Sequence, residues 1–181
     1  MPLSSAEPRD VVAMAAIFSV AAMAWFGWAQ EGPPRGWPVL LGLASGLCTL
    51  AAIVAGVLLW RRWGEPTVLI GPHEGKTFGL VVAVEVLLAA AGAVALALTG
   101  HSGWTSVWVC AVVGVHFVPL GTFFGDRGLW VLAGLLVAAA GAAVVWARQT
   151  TILPSAAVGL LAGLCFAGFA VRSFATLVDA G

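Results

Sequence analysis

The chain has 181 residues, 61% of them hydrophobic and 9% charged, against roughly a quarter charged in an ordinary water-soluble domain. Its eight basic and eight acidic residues cancel, so it offers neither a basic field for nucleic acid nor an acidic tail for a basic partner. The charges fall in short clusters between long uncharged runs, which excludes water as the main solvent and makes the lipid bilayer the first partner.

The first apolar run covers approximately 11–29. Ala22-Met23-Ala24 inside it resembles a signal-peptidase site, but the residues before it include Glu7, Arg9 and Asp10 instead of a clear positive charge, and the run continues through Trp28. We therefore read it as a true span. Further runs follow at approximately 37–60, 77–99, 104–124, 128–148 and 153–173, each close to the ~20 residues that cross a ~30 Å hydrocarbon layer as a helix. The connections carry Gly and Pro breakers, and most are too short for a soluble domain. Only 61–76, with Glu65-Pro66 and Gly71-Pro72-His73-Glu74-Gly75-Lys76, has room for a small interfacial structure. The expected fold is an all-α, polytopic six-helix transmembrane bundle in one domain over residues 1–181.

Orientation follows from the basic residues. Arg9, Arg61, Arg62, Lys76, Arg127 and Arg172 fall on one side, Arg35 and Arg148 on the other, so the positive-inside rule places both termini in the cytoplasm. Trp37, Trp60, Trp63, Trp104, Trp130 and Trp146 fall near helix ends, where an indole suits the headgroup layer. Glycines crowd the helix interiors, at 42 and 46, at 134 and 141, and at 159, 163 and 168. Two G-x-x-x-G stretches, Gly42 to Gly46 and Gly159 to Gly163, predict close backbone packing within the chain, with a homo-oligomer through Gly/Ala faces as the lesser reading.

Aligned from their outer ends, helices 2, 4 and 6 resemble one another: Gly46-Leu47-Cys48, Gly114-Val115-His116-Phe117 and Gly163-Leu164-Cys165-Phe166. This suggests three tandem two-helix hairpins. Packed about a pseudo-threefold axis, they would bring Cys48, His116 and Cys165 together near mid-membrane. Such a set would suit zinc or a softer metal. Against that, no C-x-x-C or H-E-x-x-H spacing is present, and a free Cys in a membrane helix is ordinarily a small apolar filler. Haem on His116 is disfavoured because His73 and His101 both lie in connections. No cofactor is expected. Phosphate-loop and nucleophile-elbow patterns are missing from the sequence.

Glu85 is the one acid deep in a predicted span, and His116 is its natural partner. Each lies about eight residues, or ~12 Å, from the cytoplasmic end of its helix. A carboxylate is expensive in hydrocarbon unless it is protonated, paired or facing a water-filled cavity. Facing His116, it would fix one imidazole tautomer, keep the pair net neutral and create a place to bind or exchange a proton. Pro119, three residues on, removes a helix hydrogen bond and can bend helix 4 beside the ring. The bland alternative is a satisfied Glu–His contact that only locks two helices. His73-Glu74, His101-Ser102 and Asp126-Arg127 read as polar residues of connections.

Gly114-Val115-His116-Phe117-Val118-Pro119-Leu120 resembles a G-x-H-F-x-P-L pattern of small uncharacterised bacterial multi-pass membrane proteins. That resemblance implies a bacterial cytoplasmic membrane and attention to His116, Phe117 and Pro119. It brings no activity with it. The expected function is a small transporter or permease-like protein in which Glu85 and His116 bind a proton or a small polar substrate. The alternatives are a metal-dependent intramembrane enzyme and a structural or regulatory membrane subunit.

Overall fold

The structure is a computed structural model that describes residues 7–67 and 74–179. Six long helices account for nearly all of it: α1 (Pro8–Trp28), α2 (Trp37–Arg61), α3 (Glu74–Leu98), α4 (Thr105–Phe124), α5 (Arg127–Gln149) and α6 (Pro154–Asp179). Short 3₁₀ turns at Ala29–Glu31 and Ser102–Trp104 follow α1 and precede α4. Each helix is long and apolar enough to cross a bilayer, so the chain is a multi-pass, all-α integral membrane protein with both termini on one side. The helix starts carry local reasons: Pro8 and Pro38 at first-turn positions, where a missing N–H costs nothing, and Asp126, whose side chain accepts from Gly128 N at 2.8 Å to cap α5.

Packing is centred on α1 and α6. On α1 the buried residues Val12, Ala15, Ser19, Ala22 and Phe26, continued by Ala29 in the next turn, recur at three- and four-residue steps, with Val11, Phe18 and Trp25 buried beside them, the spacing of one helix face. That face meets small residues of α6. A Cβ added at Gly159 would stand 2.7 Å from the Trp25 carbonyl oxygen and 2.7 Å from Ala29 N, and one at Gly163 would stand 2.7 Å from the Phe26 ring. The backbones can touch only because those positions have no side chain. On α4, Gly114 does the same against Leu136 and Val137 of α5, and the buried Cys110 thiol donates to the Leu136 carbonyl at 3.4 Å.

The remaining glycines depart from expectation. No described atom lies within 4 Å of a Cβ built at Gly42, Gly46, Gly134, Gly141 or Gly168, so the two glycines of the first G-x-x-x-G stretch seat no other helix among the described residues. The threefold arrangement fails as well. α2 packs on α1, α1 on α6, α6 on α5, α5 on α4 and α4 on α3, with α4 also touching α6. Because the smooth α1–α6 seam places α1 between α2 and α6, helices α2, α4 and α6 share no common axis.

The peripheral helices are attached by polar clips. Ser45 of α2 donates to the Met23 carbonyl of α1 at 3.2 Å. Trp108 of α4 donates its indole N–H to the Leu88 carbonyl of α3 at 3.1 Å, lying directly on Gly92. A side chain at 92 would cover that carbonyl, so the glycine makes the clip possible. Of the tryptophans placed at helix ends by sequence, Trp60 and Trp63 are strongly exposed, whereas Trp37 and Trp146 pack edge to face at 6.0 Å between α2 and α5. The 61–76 connection is shorter than expected, because α3 already begins at Glu74; His73 lies outside the described residues.

Candidate functional site

The row of helix contacts does not close: α3 leans on α4 and packs on neither α1 nor α2 to a comparable extent. Between α1 and α3 a cleft of about 620 Å³ remains. Met14, Ile17, Phe18 and Trp25 of α1 form one wall, Phe78, Val82 and Glu85 of α3 the other, and Val113, His116, Phe117 and Leu120 of α4 the floor. Along α1 the lining runs from Asp10 to Trp25, about 22 Å of helix at 1.5 Å per residue. At the end of the bundle that carries the termini, the lining includes Asp10, Thr122 and Asp126.

Glu85 and His116 meet inside this cleft. His116 Nδ1 lies 3.2 Å from Glu85 Oε2, with the imidazole 8% exposed and the carboxylate side chain 19% exposed. The approach is close in distance but off the line of a hydrogen bond, for Nδ1 is left without a hydrogen-bond partner. The ring also lies against the α3 backbone at Val81. Behind it, Phe117 packs edge to face on His116 at 5.6 Å and continues to Phe18 at 6.2 Å and Phe166 at 5.9 Å. The imidazole is therefore fixed on its inner side by aromatic packing and faces Glu85 and the cleft on the other. α4 remains helical through Pro119, which has no N–H to offer the Val115 carbonyl one turn back.

The acids at the end of the cleft are each engaged. The Thr67 hydroxyl donates to Asp10 Oδ1 in a short hydrogen bond. Asp126 caps α5 and also faces Arg172 of α6, whose Nη1 and Nη2 stand 3.4 and 3.3 Å from its two oxygens. Arg9 points away from the cleft, donating to the Glu65 carbonyl at 3.0 Å and lying 4.8 Å over the Trp63 ring.

Glu85 and His116, singled out by sequence, thus come together, whereas the other constellation does not. Among the described residues no three His, Cys, Asp or Glu side chains gather closely enough to hold a metal ion, so Cys48, His116 and Cys165 form no ligand set. Cys48 and Cys165 are half-buried free thiols packed against the apolar core. His101 lies in the connection before α4, as expected. What sequence reasoning missed is the cleft itself, with Asp10 and the aromatic walls. Asp10 carried a signal, since it stands in the first turn of a spanning helix with Val11 and Val12 directly after it.

Six apolar helices and a cleft that exposes an acid and an imidazole to its interior define an integral membrane protein with a built polar spot inside the bilayer. No family model, curated protein or solved structure matches this chain, so its function must be argued from the site.

Proposed function

We propose that the protein is a small transporter or permease-like carrier of a bacterial cytoplasmic membrane, with its termini in the cytoplasm, in which Glu85 and His116 bind a proton or a polar part of the substrate. The observation that carries this reading is the placement of the pair on the wall of a cleft instead of within a sealed interface. A Glu–His contact serving only to lock α3 to α4 would be satisfied in hydrogen bonding and enclosed by apolar side chains. Here Nδ1 and Glu85 Oε2 approach to 3.2 Å outside hydrogen-bond geometry, with the Glu85 side chain 19% exposed on the cleft. A pair held close without being locked suits groups that gain and lose a partner during a cycle.

The chemistry is modest. A proton shared between carboxylate and imidazole leaves the pair neutral, and transfer to one side or displacement by a substrate charge changes that balance without moving a helix across the membrane. Proton uptake and substrate flux in liposomes containing the parent, Glu85→Gln and His116→Ala test the reading. Flux is expected to fall by about a hundredfold or more in both variants, the scale of removing a positioned proton donor or acceptor. Equal flux in all three proteins would reject it.

A second reading, a membrane subunit without activity of its own, is favoured by the open glycines Gly42 and Gly46 on α2. Their bare backbone is the surface that another membrane helix packs against.

A further inference from the structure

The chemistry of the cleft is lopsided. Three carboxylates line it and no Lys or Arg is among the lining residues; Asp10 is engaged by Thr67 and Asp126 by Arg172, so Glu85, beside His116, is the acid that faces the cleft without a basic side chain of Lys or Arg. Seven of its lining residues are aromatic: six Phe and Trp25. The remainder is largely aliphatic, including Met14, Ile17 and Leu120. At about 620 Å³ it falls in the roughly 300–1,000 Å³ range of sites for drug-sized molecules. Within it sits His116, its side chain more than nine-tenths buried, with Nδ1 turned to Glu85 at 3.2 Å but outside hydrogen-bond geometry.

We infer that the cleft binds amphipathic organic cations, entered sideways from the bilayer between α1 and α3, with Glu85 as the counter-charge. The charge pattern selects among occupants. An anionic headgroup placed at the pair meets the Glu85 carboxylate, and no Lys or Arg is among the lining residues to hold it. A plain acyl chain fills apolar walls but gives no employment to Glu85 or His116. A bare metal ion or small ammonium has no use for aromatic walls. A positive centre carried on an apolar body satisfies both halves: the body displaces lipid from Phe18, Phe78 and Phe117, and the charge stands against Glu85 and the aromatic faces, which attract cations through their π-systems. Entry from the side follows from the geometry, because Ile17 at the lip is 54% exposed and α3 does not close against α1. The inference rests on the transport reading only for what the bound cation is for.

The test uses the full-length protein in phosphatidylcholine nanodiscs, with empty discs as background. Three probes of similar bulk are compared: tetraphenylphosphonium, tetraphenylborate and neutral triphenylphosphine oxide. Saturable binding of the phosphonium at one per chain is expected, with no saturable binding of the borate and weaker binding of the neutral compound. Glu85→Gln is expected to weaken the phosphonium by about tenfold or more, the scale of losing one buried charge partner, and Glu85→Asp to restore most of it. Ile17→Trp, which narrows the lip without touching the pair, is expected to weaken binding as well. Thermal unfolding of each variant shows that it is folded. Binding of the borate or the neutral compound as tightly as the phosphonium would overturn the inference in favour of a lipid-filled crevice; no saturable phosphonium binding, or binding indifferent to Glu85→Gln, would also overturn it. Proton flux lost in Glu85→Gln without cation selectivity would leave the transport reading standing alone. Selective cation binding without any flux would do the reverse.

Discussion

The α6 glycines at 159 and 163 and the α2 glycines at 42 and 46 share a spacing and nothing else. On α6 each lies under a neighbouring helix, Gly159 against the backbone of Trp25 and Ala29 and Gly163 against the Phe26 ring. On α2 each faces open space, and only Leu41 and Ala55 of that helix are fully buried. In a bilayer, small residues allow close approach but do not compel it, because lipid gives no hydrophobic drive for helices to associate. What decides is the partner face. α1 offers α6 a row in which Ala22 lies between Phe18 and the pair Trp25 and Phe26, with Ala29 just beyond them in the following turn, so the glycines of α6 have something to seat. The same contrast explains the cleft: the seam through α1 and α6 is closed by backbone contact, whereas α3 is clipped to α4 at a few points and leaves α1 uncovered on that side.

The largest effect is therefore expected at Gly159. Leucine there places a side chain where backbone atoms of α1 already stand at 2.7 Å, and backbone cannot rotate aside. Overpacking of this kind costs about 1–3 kcal/mol and sometimes more. Unfolding in mixed micelles of increasing denaturing-detergent content should show Gly159→Leu at or beyond the upper end of that range. A loss under about 0.5 kcal/mol, the ordinary scatter of surface substitutions, would show that the α1–α6 seam is looser than its geometry implies.

An intermediate effect is expected at Gly92. Valine there collides with the Trp108 indole and removes its bond to the Leu88 carbonyl, a loss of about 0.5–1.5 kcal/mol for the hydrogen bond. Because Trp108 and His116 both join α4 to α3 by polar contacts, loosening one should disturb the other. Gly92→Val should lower proton flux as well as stability. Trp108→Phe should reproduce most of both, and the double variant should cost less than the sum of the two single changes, as expected for residues that share one contact. Additive losses would show that Gly92 acts on something other than the indole.

The sequence made the spans legible because lipid demands unbroken apolar runs, and hydropathy measures that demand directly. It missed helix ends for the same reason. α6 continues to Asp179, beyond the expected end near 173, since backbone hydrogen bonding does not stop where the hydrocarbon does. Glu85 and His116 were legible because an acid and an imidazole at matched depth are costly and therefore conspicuous. Neighbour relations were not. The outward residues of α1, Ile17 and Val20, are as apolar as the inward Val12 and Phe18, so no periodicity told which face would meet α6 and which would be left to line a cleft. The Trp108 clip was hidden likewise, since its acceptor is a backbone carbonyl and its permissive residue is one glycine among 23.

The smallest effect is expected at Gly42, and it separates the two readings of α2. With no described atom within 4 Å of a Cβ at that position, Gly42→Ala adds a methyl group to open space. Alanine is the better helix former by about 1 kcal/mol in water, so the variant should unfold no earlier than the parent. Gly42→Ile, far larger, should be as harmless if the face meets only lipid tails, which rearrange around any side chain. If α2 is instead covered by another membrane helix, the bare backbone at Gly42 and Gly46 is where that helix sits, and isoleucine would break the association while leaving the fold intact. Measuring oligomeric state in nanodiscs alongside stability distinguishes these cases. Unchanged state and unchanged stability leave the α2 glycines as lipid-facing positions, whereas a loss of association at unchanged stability turns the same two residues into an interface and extends to α2 the packing seen on α6.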